Sequence, residues 1–332
     1  MGTSNFYSFF IAKVDKVPVK NLIWCLFMKT RYVLVSPCKD EGGYIEKTLQ
    51  SIEKQSIKPV QWVIVDDGST DNRVALIEAY QQAMPFIKIV HRQSGERKVG
   101  AGVILAFNEG LAAVDVDYDF ICKFDVDLEL PPTYFAEMLQ KMEEDPLMGT
   151  CSGKAYYIHP QTGALTSEMC GDEASVGMIK FYRKECFEQI GGFVADVGWD
   201  GFDCHSARWN GWRAISWDAP EVNFIHLRPM GSSQKNIYKG RIRHGKGQYL
   251  LGAHPLFFLA SSILRSVKQR PYITGTLYSI YGYVKSWMEG DQHFGGKDIT
   301  SFIRAYQLRA LVKGKRAAAE WAFQQRLAAL KK

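Results

Sequence analysis

Nowhere in its 332 residues does the chain carry a Cys-x-x-Cys pair. Its seven cysteines, Cys25, Cys38, Cys122, Cys151, Cys170, Cys186 and Cys204, are odd in number and far apart. That pattern excludes a disulfide framework and a cysteine-built zinc module, and it predicts a reducing compartment, the cytoplasm. Long hydrophobic runs are missing too. No stretch reaches the ~18–20 apolar residues that span a bilayer. The longest, 250–264, is broken by His254 and Pro255, and the apolar patches at 6–11 and 22–27 are too short for a secretory leader. A strand followed by G-x-G-x-x-G is absent, as is G-x-x-x-x-G-K-[ST], which argues against a dinucleotide enzyme and a P-loop enzyme. No internal repeat or low-complexity tract occurs.

What the chain does contain is an ordinary globular composition, 46% apolar and 23% charged, enough for a full core. The net charge of +6 is unevenly placed. Residues 301–332 hold eight Lys and Arg against the single acid Glu320, so this tail carries +7 and the rest about −1. Such a tail suits an anionic membrane face or a polyanion; a solvated helix face is the plain alternative. The alanines at 317–319 and the leucines at 327 and 330 resemble helix packing more than base readout, so no nucleic-acid partner is predicted.

Strand-like and helical patterns alternate in the first half. Strands are predicted over 32–36, 60–65, 86–90 and 119–124, and helices over 45–52, 73–83 and 99–114. This alternation predicts an α/β fold with a mostly parallel sheet flanked by helices. Residues 1–27 read as an N-terminal extension, either disordered or mis-assigned, with Met28 just ahead of the first strand. Residues 28–235 read as the main domain, divided near 130 into two halves, and 236–332 as a helical, basic C-terminal region. Within it, 240–290 mixes bases with apolar residues, which fits either a membrane interface or a core helix packed on the sheet.

Open parallel sheets bind ligands beyond the carboxyl ends of their strands. Three polar clusters fall at such ends: 37–41, 66–69 and 125–127. In the last, Asp125 and Asp127 sit two apart where an apolar strand stops. Paired carboxylates of this kind hold a hard divalent cation that can bridge a diphosphate, although an Asp-x-Asp is also a common turn or cap. Asp66 and Asp67 in Val-Asp-Asp-Gly-Ser can accept from a base or ribose, or simply cap the next helix.

Taken together, Pro37-Cys38-Lys39-Asp40-Glu41, Val65-Asp66-Asp67-Gly68-Ser69-Thr70-Asp71 and Asp125-Val126-Asp127 resemble family 2 glycosyltransferases of the GT-A fold, in the family's order and over about residues 30–230. The resemblance implies that Pro37, Asp40, Glu41, Asp66 and Asp67 line the nucleoside pocket. It implies that Asp125 and Asp127 hold Mn²⁺ or Mg²⁺ against the diphosphate of a nucleoside-diphosphate sugar, more specifically a UDP-sugar. Arg97 and Lys98, in the Gly-containing loop 95–102, would contact donor phosphate or base at a helix N-terminus, or else be a solvated pair.

The second half would then bind a glycan or lipid-linked acceptor, as in bacterial polysaccharide assembly. Inverting transfer needs one carboxylate to take the acceptor proton. By its offset from Gly211-Trp212, Asp200 matches the family's base, with Asp203 the rival; Asp200 can instead cap a helix expected to start near 203. His226, at the end of a strand-like 222–226, matches a His that approaches metal or diphosphate in relatives, and imidazole suits Mn²⁺ better than Mg²⁺. The tryptophans 199, 209, 212 and 217 divide between sugar stacking and core. The alternatives to a transferase are a non-catalytic saccharide-binding protein on the same fold and a sugar nucleotidylyltransferase. The latter would carry a Gly-rich basic loop where 37–41 stands.

Overall fold

The computed structural model describes residues 31–39, 43–68, 73–92, 100–228, 237–268 and 271–330. Strands β1 (Tyr32–Cys38), β2 (Gln61–Asp66) and β4 (Phe120–Phe124) are buried on both faces, as central strands of a covered parallel sheet must be, and their sequences are correspondingly near-continuous apolar runs. With β3 (Ile87–His91), β6 (Met148–Ser152), β9 (Ile179–Arg183) and β10 (Arg213–Ser216) they form a seven-stranded sheet in the order β10-β6-β9-β4-β1-β2-β3. Only β9 runs against its neighbours, β4 and β6.

Successive residues of a strand point to opposite faces, and helices cover both. Val33 and Val35 pack with Ile104 and Phe107 of α3 (Ala101–Ala112) and with Phe187 of α5 (Lys184–Gln189). On the other face Tyr32 stacks on Phe135 of α4 (Tyr134–Glu144), ring centroids 4.7 Å apart. Two more helices, α1 (Ile45–Glu53) and α2 (Arg73–Gln81), follow β1 and β2. The six described cysteines are free, and five of them are buried.

A second, four-stranded sheet, absent from the expected elements except for its strand near 224, has the order β5-β11-β7-β8. It is built from β5 (Leu128–Glu129), β11 (Phe224–His226), β7 (Ala155–Ile158) and β8 (Leu165–Ser167). These strands of two to four residues carry too little periodicity to be read from sequence.

Helix α6 (Trp199–Trp209) starts four residues earlier than expected. Its N-cap, Gly198, has φ +88°, and a Cβ there would lie 3.0 Å from the carbonyl oxygen of Gly247. Backbone handedness and close approach both demand glycine, and they set Asp200 in the first helical turn, not at a cap. The chain ends in helices α7 (Ile237–Leu250), α8 (Pro255–Lys268), α9 (Tyr272–Glu289), α10 (Gly296–Lys313) and α11 (Lys315–Leu330). No described helix is long and apolar enough to cross a membrane. Much of the basic tail serves packing. Arg326 lies 3.7 Å from the Trp209 ring centroid, Arg309 lies 5.0 Å from that of Trp321, and Lys315 pairs with Glu173 at 3.1 Å.

Candidate functional site

Parallel register brings the first two clusters together. Cys38 stands opposite Asp66 in the β1–β2 ladder and Asp66 opposite His91 in the β2–β3 ladder. The Asp67 amide donates to the Cys38 carbonyl at 2.9 Å, so the backbone at Pro37 and Cys38 is locked beside both acids. Asp66 is buried, with His91 Nδ1 at 3.7 Å from its Oδ2. Asp67 faces Arg92 at 3.3 Å and Lys39 at 3.5 Å, and Arg92 also binds Glu109 at 2.8 Å. Asp40, Glu41, Arg97 and Lys98 lie outside the described residues.

The Asp-x-Asp turn is clamped from behind. The Thr48 hydroxyl in α1 donates to the Val126 carbonyl at 2.8 Å and accepts from the Leu128 amide at 3.2 Å. The small sheet then supplies neighbours. Antiparallel pairing sets His226 opposite Leu128, which brings His226 Nε2 to 3.5 Å from Asp127 Oδ2. Arg228 Nη2 reaches the same oxygen at 3.0 Å. Glu168, which follows β8 and whose amide donates to Ala155, holds His226 Nδ1 at 3.0 Å. The order is therefore Glu168–His226–Asp127, a carboxylate fixing an imidazole that faces a second carboxylate. Glu168 and Arg228 were not among the sequence candidates. No motif marks Glu168, which reaches His226 only through the pairing of β8 with β7 and of β7 with β11.

The electrostatics follow from these contacts. Burial alone would lower His226, yet its hydrogen bonds and the charges of Asp127 and Glu168 outweigh burial and raise it to about 9. Burial alone would raise Asp127, but His226, Arg228 and Lys123 hold it below its ordinary value. Asp125 is raised by burial and by Asp127, with Lys123 opposing. Because His226 is raised above its unfolded value near ~6.5, its contribution to stability is complete below that pH and is lost as pH rises through about 9. Metal-free protein is expected to lose at most about 3 kcal/mol across this window. A urea-denaturation series by pH should show the loss, and His226→Asn should flatten it; an unchanged slope in the variant refutes the assignment.

Do the residues fit a divalent cation? Among the described residues no three His, Cys, Asp or Glu side chains already group as a metal cage. The donor chemistry nevertheless fits. Asp127 Oδ1 is one of only two buried side-chain oxygens or nitrogens without a hydrogen-bond partner among those residues. Such an atom costs free energy unless a ligand satisfies it.

The second half meets this rim through a short relay. Lys123 of β4, 3% exposed, donates to Asp125 at 2.5 Å and to the Gly177 carbonyl at 3.0 Å. Gly177 has no side chain because Asp200 lies on it: a Cβ there would be 2.9 Å from Asp200 Oδ2. Asp200 is thus an exposed carboxylate at the start of α6 that lies against Gly177, whose carbonyl shares Lys123 with Asp125. Gly100, where α3 begins, abuts Val197 just ahead of it. Asp203 sits differently. It is 2% exposed, with Oδ2 at 2.7 Å from Lys180 Nζ and 2.5 Å from the Tyr182 hydroxyl, and Oδ1 accepts from the Cys204 amide at 2.7 Å. Burial raises Asp203 despite Lys180, and Asp203 keeps the Lys180 ammonium above its ordinary value despite burial. Trp199 is buried core, with Lys123 and Lys180 over its ring at 5.3 and 5.8 Å.

Comparison with known proteins agrees with this geometry. Residues 33–196 match the family model "Glycosyl transferase family 2". The uncharacterized glycosyltransferase YibD of Escherichia coli K12 is 25% identical over 114 residues, 34% of this chain and 31% of that protein. The poly-beta-1,6-N-acetyl-D-glucosamine synthase of Staphylococcus aureus is 27% identical over 116 residues, 35% of this chain and 26% of the synthase. The match thus spans less than a third of either relative. Among solved structures, TarS 1–349 of S. aureus in complex with UDP-GlcNAc superposes with a TM-score of 0.52 at 13% identity, covering 91% of each chain. With the sheet order, the strand-end acids and the matched segment in agreement, residues 33–196 form a glycosyltransferase family 2 domain, and the chain has the GT-A fold.

Proposed function

We propose that this chain is an inverting transferase. It moves a sugar from a nucleoside-diphosphate sugar, specifically a UDP-sugar, to a glycan or lipid-linked acceptor. Residues 28–130 bind donor, 131–235 carry the acceptor and catalytic half, and 236–332 form the helical, basic C-terminal region. Asp66 and Asp67 receive the nucleoside, with Pro37 beside them and Asp40, Glu41, Arg97 and Lys98 completing the pocket. Asp125, Asp127 and His226 would hold Mn²⁺ or Mg²⁺, which supplies positive charge for the departing diphosphate. Glu168 orients His226 toward that position, and Arg228 shares the charge of Asp127. Free cysteines suit the cytoplasm, and we place the protein there, peripheral on the inner face of the plasma membrane where its acceptor is lipid-linked.

Asp200 serves as base. The acceptor hydroxyl oxygen attacks the anomeric carbon, its proton passes to the Asp200 carboxylate, and the bond from that carbon to the diphosphate oxygen breaks as the nucleoside diphosphate leaves. The observation that carries this reading is the relay Asp125–Lys123–Gly177–Asp200, which seats an exposed carboxylate against the Asp-x-Asp rim. A thermal-shift screen of nucleotides and nucleotide sugars, with and without Mn²⁺, tests it. UDP and UDP-sugars should stabilise in Mn²⁺, by about 3 kcal/mol at 100 times Kd, and guanosine and adenosine diphosphates should not. Absence of any uridine-nucleotide stabilisation overturns the proposal.

A further inference from the structure

Helix α9 is built inside out. Its buried positions are Gly275, Ser279, Gly282 and Ser286, all small. Its large apolar residues face outward: Ile273, Leu277, Tyr281, Val284 and Met288 recur at helical spacing and are exposed, Met288 by 76%. The small face is used up by α7. A Cβ on Gly282 would lie 2.0 Å from the Ile242 carbonyl oxygen, and one on Gly245 would lie 1.9 Å from that of Ser279. In water the hydrophobic effect orders helices the other way, with large apolar groups in and small or polar groups out. The inverted order is how helices pack where lipid surrounds them. Helix α8 repeats the outward stripe with Leu256, Leu259, Ile263 and Val267. Isolated exposed apolar residues need no explanation, but two adjoining stripes on packed helices form a contiguous patch, which does.

Charge identifies what covers this patch. From residue 222 to 288 the sequence contains no Asp or Glu at all, against ten Lys and Arg. Arg241, His244 and Arg265 line a cleft between α7, α8 and α9 together with the hydroxyls of Ser262, Tyr272 and Ser279, and no carboxylate is among its lining residues. Arg265 hydrogen-bonds to His244. Burial first, and then the charges of Arg265 and Arg241, push His244 down to about 3, so the two guanidinium groups carry the charge of this cleft. A second copy of this chain on the same face would set bases against bases, which like-charge repulsion disfavours. Exposed Tyr281 and Trp287 match the aromatic residues that sit at headgroup depth.

We propose that the outward face of α8 and α9 docks on an anionic lipid bilayer, lying in the interface without crossing it, with a lipid phosphate taken into the Arg241–His244–Arg265 cleft. The consequence for transfer rests on the reading above: Gly247 of α7 packs on Gly198, so the docking layer stands directly behind the helix that carries Asp200. Docking itself requires no turnover.

Vesicle flotation of the full chain tests it. The protein should float with vesicles of phosphatidylcholine plus phosphatidylglycerol and do so at least about tenfold more weakly with phosphatidylcholine alone. The double variant L277D/W287D should lose at least about tenfold in binding while its thermal midpoint holds, since both positions are exposed. R241Q/R265Q should lose the preference for the anionic lipid. No flotation of wild type, or flotation of both variants equal to that of wild type, overturns docking. So does light scattering that shows a dimer which L277D/W287D dissociates, because the face would then join two copies. Flotation with no UDP binding by calorimetry leaves docking intact and removes the transferase reading instead.

Discussion

Asp200→Asn should bind UDP-sugar with Mn²⁺ as tightly as wild type and turn over at least ~100-fold more slowly, since a general base contributes about 10²–10⁴-fold. Asparagine keeps the size and the packing over Gly177, so the relay to Asp125 through Lys123 survives and only the proton acceptor is lost. Asp203→Asn makes the contrasting case. Asp203 and Lys180 are both buried within the core. Removing one charge leaves the other without compensation, which costs about 3–5 kcal/mol. Its activity should fall only with the folded fraction. Single-turnover kinetics beside a urea-denaturation series separates the two outcomes: slow turnover in fully folded Asp203→Asn, with fast turnover in Asp200→Asn, moves the base three residues along the helix.

The sequence pattern made some of this legible and hid the rest for physical reasons. Strands β1, β2 and β4 are covered on both faces, so they read as continuous apolar runs, and the acids following them fell where a parallel sheet binds ligand. The expected strand 32–36 extends to Cys38 because the β1–β2 ladder continues through Pro37 and Cys38. The small sheet was nearly invisible, since β5 has two residues and β8 three. With it went Glu168 and Arg228, whose roles depend on pairing across 101 residues in the case of Arg228 and Asp127. The start of α6 was misjudged because Gly198 acts as N-cap through its backbone and no capping side chain marks the spot. Region 240–290 had offered two readings, core helix or interfacial helix. The exposed stripes of α8 and α9 argue against the first, because a core helix would turn Ile273 and Leu277 inward.

Asp127→Asn should abolish the dependence of UDP binding on Mn²⁺ and weaken that binding about 100-fold or more, in keeping with the several kcal/mol that a cation on a diphosphate supplies. The argument turns on one oxygen. Oδ2 of Asp127 already answers to Arg228 and His226, whereas Oδ1 is buried with no partner. A carboxylate left half-satisfied next to a second carboxylate is costly in an isolated protein and useful only when a cation arrives. Asparagine can keep the contact to Arg228 through its carbonyl but presents no second anionic oxygen. It also removes half of what holds His226 charged, so His226 should titrate below its present value of about 9 in the variant. Calorimetry with UDP in Mn²⁺ and in EDTA measures the first effect, and the imidazole proton resonances followed by pH measure the second. If UDP affinity in Mn²⁺ is the same for Asp127→Asn as for wild type, the cation is not held here. In that case Arg228 and protonated His226 alone must carry the charge of the diphosphate.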